Sequence, residues 1–355
     1  MVNEKDDLSL AKEDPCCSVP HTKPWFQNKT LIVLSVLLMM YGLSYLWPFL
    51  IPFRETLWLY VQKIWWAILL GFTLGGMIDY YVPSQYISHV LSREKKRTIV
   101  HAVLFGSLMS ACSCGVLALS IQLHKKGAST ASVIAFLMAS PWANLPLTFM
   151  LIGFFGFLRT SYIVLAAIVI AMTTGFIYQY LEKINWVERN TNSFELDENF
   201  SVGKDVRKRI QAYRFSFQQL KNDITGIFKG AIFLSNMVLW WILIGIGLSS
   251  LAGAYIPQQI FHQYMGPTLT GMLVTLAVAT VIEVCSEGTS PLAFEIFRQT
   301  GAFGNSLVFL MAGVATDYTE IGLLWHNVGR RAAIWLPVIS VPQIILWGIL
   351  ANILF

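Results

Sequence analysis

The stretch Met109-Ser110-Ala111-Cys112-Ser113-Cys114-Gly115-Val116-Leu117-Ala118-Leu119, followed after a further apolar run by Ser140-Pro141-Trp142-Ala143-Asn144-Leu145, sets two cysteines, a glycine and a proline inside sequence that otherwise reads as membrane-spanning. It recurs without a gap later in the chain. Cys112-Ser113-x-Gly115 matches Cys285-Ser286-x-Gly288, and Phe136-Leu137-Met138-Ala139 matches Phe309-Leu310-Met311-Ala312, both pairs 173 residues apart. Irregular backbone at membrane depth is tolerated only where it is buried in protein or lines a wet cavity. Two matched, broken elements therefore predict an interior site near the midplane.

Composition supports that setting. Of 355 residues, 55% are hydrophobic and 13% charged, and the mean hydropathy is +0.58. Apolar runs of about 20 residues, enough to cross the hydrocarbon core, recur along most of the chain, without the short alternating strands of a membrane barrel. The expected fold class is therefore an all-α polytopic membrane protein. A net charge of +5 fits basic cytoplasmic loops better than nucleic-acid binding. Five cysteines are too few, and odd in number, for a disulfide framework. Residues 1–29 are polar and mixed in charge, which reads as a cytoplasmic tail and not a signal peptide. Cys16-Cys17 after Pro15 reads as part of that tail, with soft-metal capture or acylation as the alternatives.

Spans are expected at about 30–50, 57–82, 129–152, 160–182, 230–255, 266–296, 302–325 and 332–354. Residues 84–97 are more amphipathic, and 98–123 carries the Cys-Ser-Cys-Gly break. Tyr81-Val82-Pro83-Ser84-Gln85 parallels Tyr255-Ile256-Pro257-Gln258-Gln259, so the repeat extends beyond its motif. The division is a tail at 1–29, an extra span within 30–56, a first repeat of about four hydrophobic segments at 57–182, a linker at 183–229 and a second repeat at 230–355.

Charge placement bears on how the repeats are oriented. The basic clusters at 93–97, at 124–126 and at 204–214 are all expected on the cytoplasmic side, which three simple crossings between 97 and 204 do not allow. A re-entrant hairpin over 98–123, bent at Cys112–Gly115, resolves this. The second repeat then enters from the opposite side, which is the inverted topology of secondary transporters. Loop 256–268 falls outside, and Arg298 is the one residue left on the wrong side.

The residues with chemistry gather at the breaks. Cys112, Ser113, Cys114 and Gly115 face Cys285, Ser286, Glu287 and Gly288 in the repeat. Thiolates bind soft metals and metalloids, whereas buried cysteines also serve as small packing residues. Cys-x-Cys spacing suits neither a zinc ribbon nor a thioredoxin motif, and no metal centre or cofactor is expected. Asn144 and Asp317 match at the same 173-residue spacing. Pro141, by removing a backbone donor, is expected to unwind Ser140–Ala143, with Gly313–Thr316 unwinding more mildly in the second copy. Glu283, Glu287, Asp317 and Glu320 are expensive in lipid, so they are expected to face a cavity and to carry protons or a coupling cation, Glu287 and Asp317 foremost. The structural alternative pairs them with Arg298, a lysine or backbone amides. No Walker A loop, Ser-His-Asp set or HExxH motif is present, and nothing in the sequence argues for an enzyme.

Cys112-Ser113-Cys114-Gly115-Val116-Leu117, then Lys126-Gly127-Ala128 and Phe136-Leu137-x-x-Ser140-Pro141, resemble the ArsP-type permease family. Glu283-Val284-Cys285-Ser286-Glu287-Gly288 and Ala315-Thr316-Asp317-Tyr318-Thr319-Glu320-Ile321-Gly322 resemble its second half. The resemblance covers roughly 57–355. It implies a membrane permease whose best-understood members export trivalent organoarsenicals with membrane cysteines implicated, other relatives being associated with divalent metal efflux. Where many relatives read Cys-Gly-Val-x-Pro-Leu, this chain has no proline; one stands instead at Pro291, which matches Ala118.

The resulting expectation is a multi-pass secondary permease of the cell membrane. It exports a small soft or thiol-reactive solute through a central site built from Cys112, Ser113, Cys114, Gly115, Pro141, Asn144, Cys285 and Ser286, with the four carboxylates handling protons or an ion. Its partners are that metalloid or small-molecule solute and the lipid bilayer, with no nucleic acid and with homo-oligomerisation left open. A permease for a small anion with structural cysteines, and a non-transporting membrane scaffold, are the two rival readings.

Overall fold

The computed structural model describes residues 29–81, 96–108, 113–125, 127–190, 217–283 and 285–355. Among these the secondary structure is entirely helical. The first half holds α1 (Lys29–Leu43), α2 (Ile51–Tyr81), α3 (Lys96–Leu108), α4 (Ser113–Lys125), α5 (Thr130–Ala143), α6 (Leu145–Phe155) and α7 (Phe157–Lys183). The second holds α8 (Phe217–Tyr255), α9 (Gln258–Met265), α10 (Leu269–Ile282), α11 (Ser286–Thr300), α12 (Phe303–Thr316), α13 (Tyr318–Asn327) and α14 (Arg330–Leu354). Among the described residues α2, α7, α8, α14 and the run α12–α13 taken together are long and apolar enough to cross a bilayer, five spans, or up to seven if α5–α6, bent by 43°, and α9–α10, bent by 105°, each count as one.

The 173-residue spacing governs helix starts as well as motifs. The starts of α4, α5, α6 and α7 at 113, 130, 145 and 157 recur at 286, 303, 318 and 330. Capping follows the same rule. The orphan N–H of Ala131 in the first turn of α5 donates to Glu182 of α7 at 3.1 Å. Its counterpart, the N–H of Gly304 in α12, donates to Asn352 of α14 at 2.6 Å. Each short inner helix is thus capped by the last long helix of its own half, which satisfies donors that helix geometry leaves unpaired.

Contacts between the halves are reciprocal. α2 packs along α8, α5 touches α12 and α7 touches α14, while the α6–α11 contact is mirrored by α13–α4. Small residues permit the closest approaches, as they do wherever helix association relies on van der Waals contact in place of a hydrophobic drive. α2 and α8 cross where Gly76 meets the backbone of Ala231, and α8 and α11 cross where Gly245 lies against Gly288. At the centre, all fourteen residues of α5 are buried.

Several elements differ from the sequence reading. The first span ends early, at Leu43, because Pro48 and Pro52 restart the chain and α2 begins at Ile51. The end of the expected linker is helical, since α8 starts at Phe217. The presumed loop 256–268 contains α9, whose buried Phe261 anchors an otherwise polar turn. Of the expected bend at Cys112–Gly115, Cys112 lies outside the described residues and Ser113, Cys114 and Gly115 open α4. Residues 84–95, the cluster at 204–214 and the pair Cys16-Cys17 lie outside the described residues as well.

A short segment after α7 ties the halves together at one end. The N–H groups of Arg331 and Ala332, at the start of α14, donate to the Glu188 carboxylate at 3.0 and 3.1 Å, while Thr130 donates to the Glu188 carbonyl at 2.9 Å. Burial pulls the Glu188 carboxyl up, but the Arg331 and Ala332 amides and the Arg331 guanidinium outweigh it and hold it below the ordinary glutamate value. A depressed folded-state pKa means stability that is present above the unfolded value, about 4.3, and lost as pH falls through the lower folded value. For this half-buried, solvent-screened group the expected contribution is about 0.3–1 kcal/mol. Thermal melts below about pH 4.3 should therefore show a steeper decline for the native protein than for Glu188→Gln; identical slopes would mean the clamp contributes nothing.

Candidate functional site

Three helix breaks are buried in the interior, and their causes are local. α5 continues through Pro141 and stops only after Ala143, so Pro141 is not the unwinding point that the sequence suggested. Pro146 is the residue that forbids continuity. It has no N–H for the carbonyl four residues back and clashes with it mid-helix, yet it is tolerated in the first turn of a new helix. Asn144 supplies the joint, with extended backbone (φ −67°, ψ 148°) and a side chain that accepts from Leu147 N at 2.8 Å. In the second half α12 likewise runs on to Thr316, and Asp317 forms the joint (φ −59°, ψ 126°) by accepting from Thr319 N at 3.1 Å. The remaining break, between α10 and α11, falls at 283–285, where the cysteine motif placed it.

Asn144 then reaches across the halves. With its amide oxygen committed to Leu147, its Nδ2 donates to Glu287 Oε1 at 3.2 Å. An aspartate here could cap α6 equally well but could not donate. Glu287 Oε2 accepts from Cys285 Sγ at 3.0 Å and from Ser286 Oγ at 3.2 Å. Glu287 sits in the first turn of α11, where the helix dipole favours negative charge, and it is only 2% exposed. The structure thus joins Asn144, Cys285, Ser286 and Glu287 in one hydrogen-bonded set.

The other three carboxylates lie beside it. Glu283 ends α10, and its carboxyl packs on Gly313 of α12, where any Cβ would collide with it. Asp317 also accepts from the Thr319 hydroxyl. Glu283 feels the charges of Asp317 and Glu287, and Glu320 those of Asp317 and Glu283. All three are buried. None pairs with Arg298, which is committed elsewhere, while Asp317 does take a backbone amide, Thr319 N, as the structural alternative allows. Among the described residues no group of three or more His, Cys, Asp and Glu side chains is arranged to hold a metal ion.

Other expected site residues stand apart. Pro141 is buried within α5 and Gly115 is half-buried in α4. Cys112 lies outside the described residues, as do the side chains of Ser113 and Cys114.

The sequence reading missed Glu295. It is fully buried, accepts from Arg298 Nε at 2.9 Å and Nη2 at 2.7 Å and from Gln299 at 2.6 Å, and also receives the Tyr60 hydroxyl of α2. An acid three residues before an arginine on the same helix was the available signal. This pairing neutralises the Arg298 charge in place.

The family model described as "Predicted permease", ArsP_1, matches residues 53–353. The chain belongs to that permease family. Among curated relatives, the permease is 22% identical over 287 residues to "UPF0718 protein YcgR" of Bacillus subtilis, covering 79% of this chain and 90% of that protein. It is 21% identical over 263 residues to "Putative two-component membrane permease complex subunit" of Streptococcus mutans, covering 72% and 80%. No solved structure matches the permease. Family and helices together make it a multi-pass membrane protein.

Proposed function

We propose that this permease works by alternating access, with its halves in inverted topology and a small soft or thiol-reactive solute held where the breaks meet. The reading is carried by the hydrogen bond from Asn144, at the break of one half, to Glu287, at the break of the other. A contact of this kind is remade whenever the halves rock against each other, which is how transporters with repeats expose a midplane site alternately to each side. The reciprocal contacts between corresponding helices support a two-fold relation of the halves.

In the 173-residue correspondence Glu287 matches Cys114 and Asn144 matches Asp317. The counterpart of the Asn144–Glu287 pair is therefore Asp317 with Cys114, which supports a thiol at the site beside Cys285. Four acids, with no basic partner among the described residues, argue against an anion as solute. Export, and a cytoplasmic side carrying the tail and the 183–229 linker, complete the proposal. By likeness to the Streptococcus relative, a second subunit could join it, and pull-down from native membranes tests that.

The test is accumulation of a trivalent phenylarsenical by everted vesicles, with and without a pH gradient. Gradient-dependent uptake is expected, reduced at least about tenfold by Cys114→Ser, the equivalent of about 1.4 kcal/mol. Full activity in a chain with Cys112, Cys114 and Cys285 all replaced by serine would sink the thiol site.

A further inference from the structure

We infer that the coupling ion is the proton, and that Glu283 and Glu320 carry it while Glu287 and Asp317 do not. This rests on the permease reading above. It reverses the ranking drawn from sequence, in which Glu287 and Asp317 came first because they stand at the breaks.

The inventory of donors decides between the four acids. Glu287 receives Asn144, Cys285 and Ser286, and Asp317 receives the N–H and hydroxyl of Thr319. The Thr289 hydroxyl stands against Glu283, but its proton is directed to the Cys285 carbonyl at 3.1 Å. Among the described residues no other donor reaches either oxygen of Glu283, nor any donor Oε2 of Glu320, although both residues are only 4% exposed. An ionised carboxylate removed from water without donors costs several kcal/mol even after relaxation, and a like charge beside it adds to that.

Among the described residues the surroundings offer no cation to offset it. Glu283 is faced by Glu287 from α11, by Asp317 at the start of α13 and by the Gly313 backbone of α12. Glu320 is faced by Asp317 and Glu283. α12 contains no titratable residue, and α10 none before Glu283. Arg298 of α11 is spent on Glu295. His124 and Lys125 stand at the far end of α4, His326 near the far end of α13, and Arg330 and Arg331 begin α14.

A metal cation would need a cage of several oxygens, and the described acids form no such group. A proton needs one oxygen. Its binding turns each buried carboxylate into a neutral acid with an O–H to donate, and its release to the other side restores the charge. No other bond changes.

Infrared spectroscopy of the purified full chain in lipid bilayers tests this without any solute. At neutral pH the carboxylic-acid C=O band, shifted in D2O, should be present. It should weaken in Glu283→Gln and again in Glu320→Gln, and persist in Glu287→Gln. Either of the first two variants suffices if the other fails to fold. A band absent from the native protein, untouched by both substitutions, removed by Glu287→Gln, or abolished by sodium or a divalent cation would overturn the assignment. Because no solute enters, failure of arsenical uptake leaves this result standing, and a negative spectrum leaves the permease reading standing.

Discussion

Glu295→Ala is expected to destabilise the protein by about 3 kcal/mol, near the lower end of the range for breaking a buried ion pair. The residue is fully buried and gathers donors from both halves: Tyr60 on α2, with Arg298 and Gln299 on its own helix. Truncation takes the carboxylate acceptor from the Tyr60 hydroxyl, which has no exposure of its own and is left to Ser249, and strips Arg298 of a two-point partner. The value stays at the lower end because the Arg298 side chain keeps 34% exposure and can recover part of its hydration. Replacing both Glu295 and Arg298 by leucine should restore much of the loss, since a buried pair is often no better than an apolar substitute of similar volume. Unfolding midpoints of the purified variants in detergent measure both effects. Native-like melting of Glu295→Ala would show that the network does not hold α2 to α11.

Gly245→Val should abolish transport wherever the protein still inserts. A Cβ at 245 falls inside the van der Waals envelope of the Gly288 carbonyl, so α8 and α11 must part by more than a side chain can absorb. Overpacking in a core costs 1–3 kcal/mol where neighbours can shift; here the obstacle is backbone, and a cost above about 3 kcal/mol is expected. The displaced turn of α11 carries Glu287, one residue before Gly288, so the Asn144 hydrogen bond is lost with it. Gly42→Val is the control, because nothing lies within 4 Å of an added Cβ there. Membrane-inserted yield, read alongside vesicle uptake, separates misassembly from a broken site. Equal uptake by the two variants would refute the argument.

Much of this architecture is written locally, and that part was readable. Apolar run length gives the class, and the shared Cys-Ser-x-Gly and Phe-Leu-Met-Ala motifs give the spacing that also sets helix starts. Asn144 and Asp317 could be picked out because they stand at the same 173-residue spacing just past the shared Phe-Leu-Met-Ala, although their capping role was not foreseen. What stayed hidden depends on distant partners. Pro141 looked like the breaker because a proline's effect was counted from its own position, whereas Pro146 stops the helix before it. Glu287 and Asp317 looked like the exposed acids because breaks suggest a cavity, but their donors arrive from Asn144, Cys285, Ser286 and Thr319. Glu283 and Oε2 of Glu320 are the ones left short of donors, and only the assembled structure distinguishes them. Glu295 escaped because its burial is imposed by α2, far away in the chain.

The complete burial of α5 bears on how the bilayer can act on this protein. At fourteen residues the helix is about 21 Å long, well short of the roughly 30 Å hydrocarbon core, yet it touches no lipid and feels no hydrophobic mismatch. A thicker or thinner membrane pulls only on the long outer helices α2, α7, α8 and α14, which answer by tilting. The joint at Asn144 hangs from the end of a rod clasped entirely by protein, so its depth is set by side-chain packing and not by acyl-chain length.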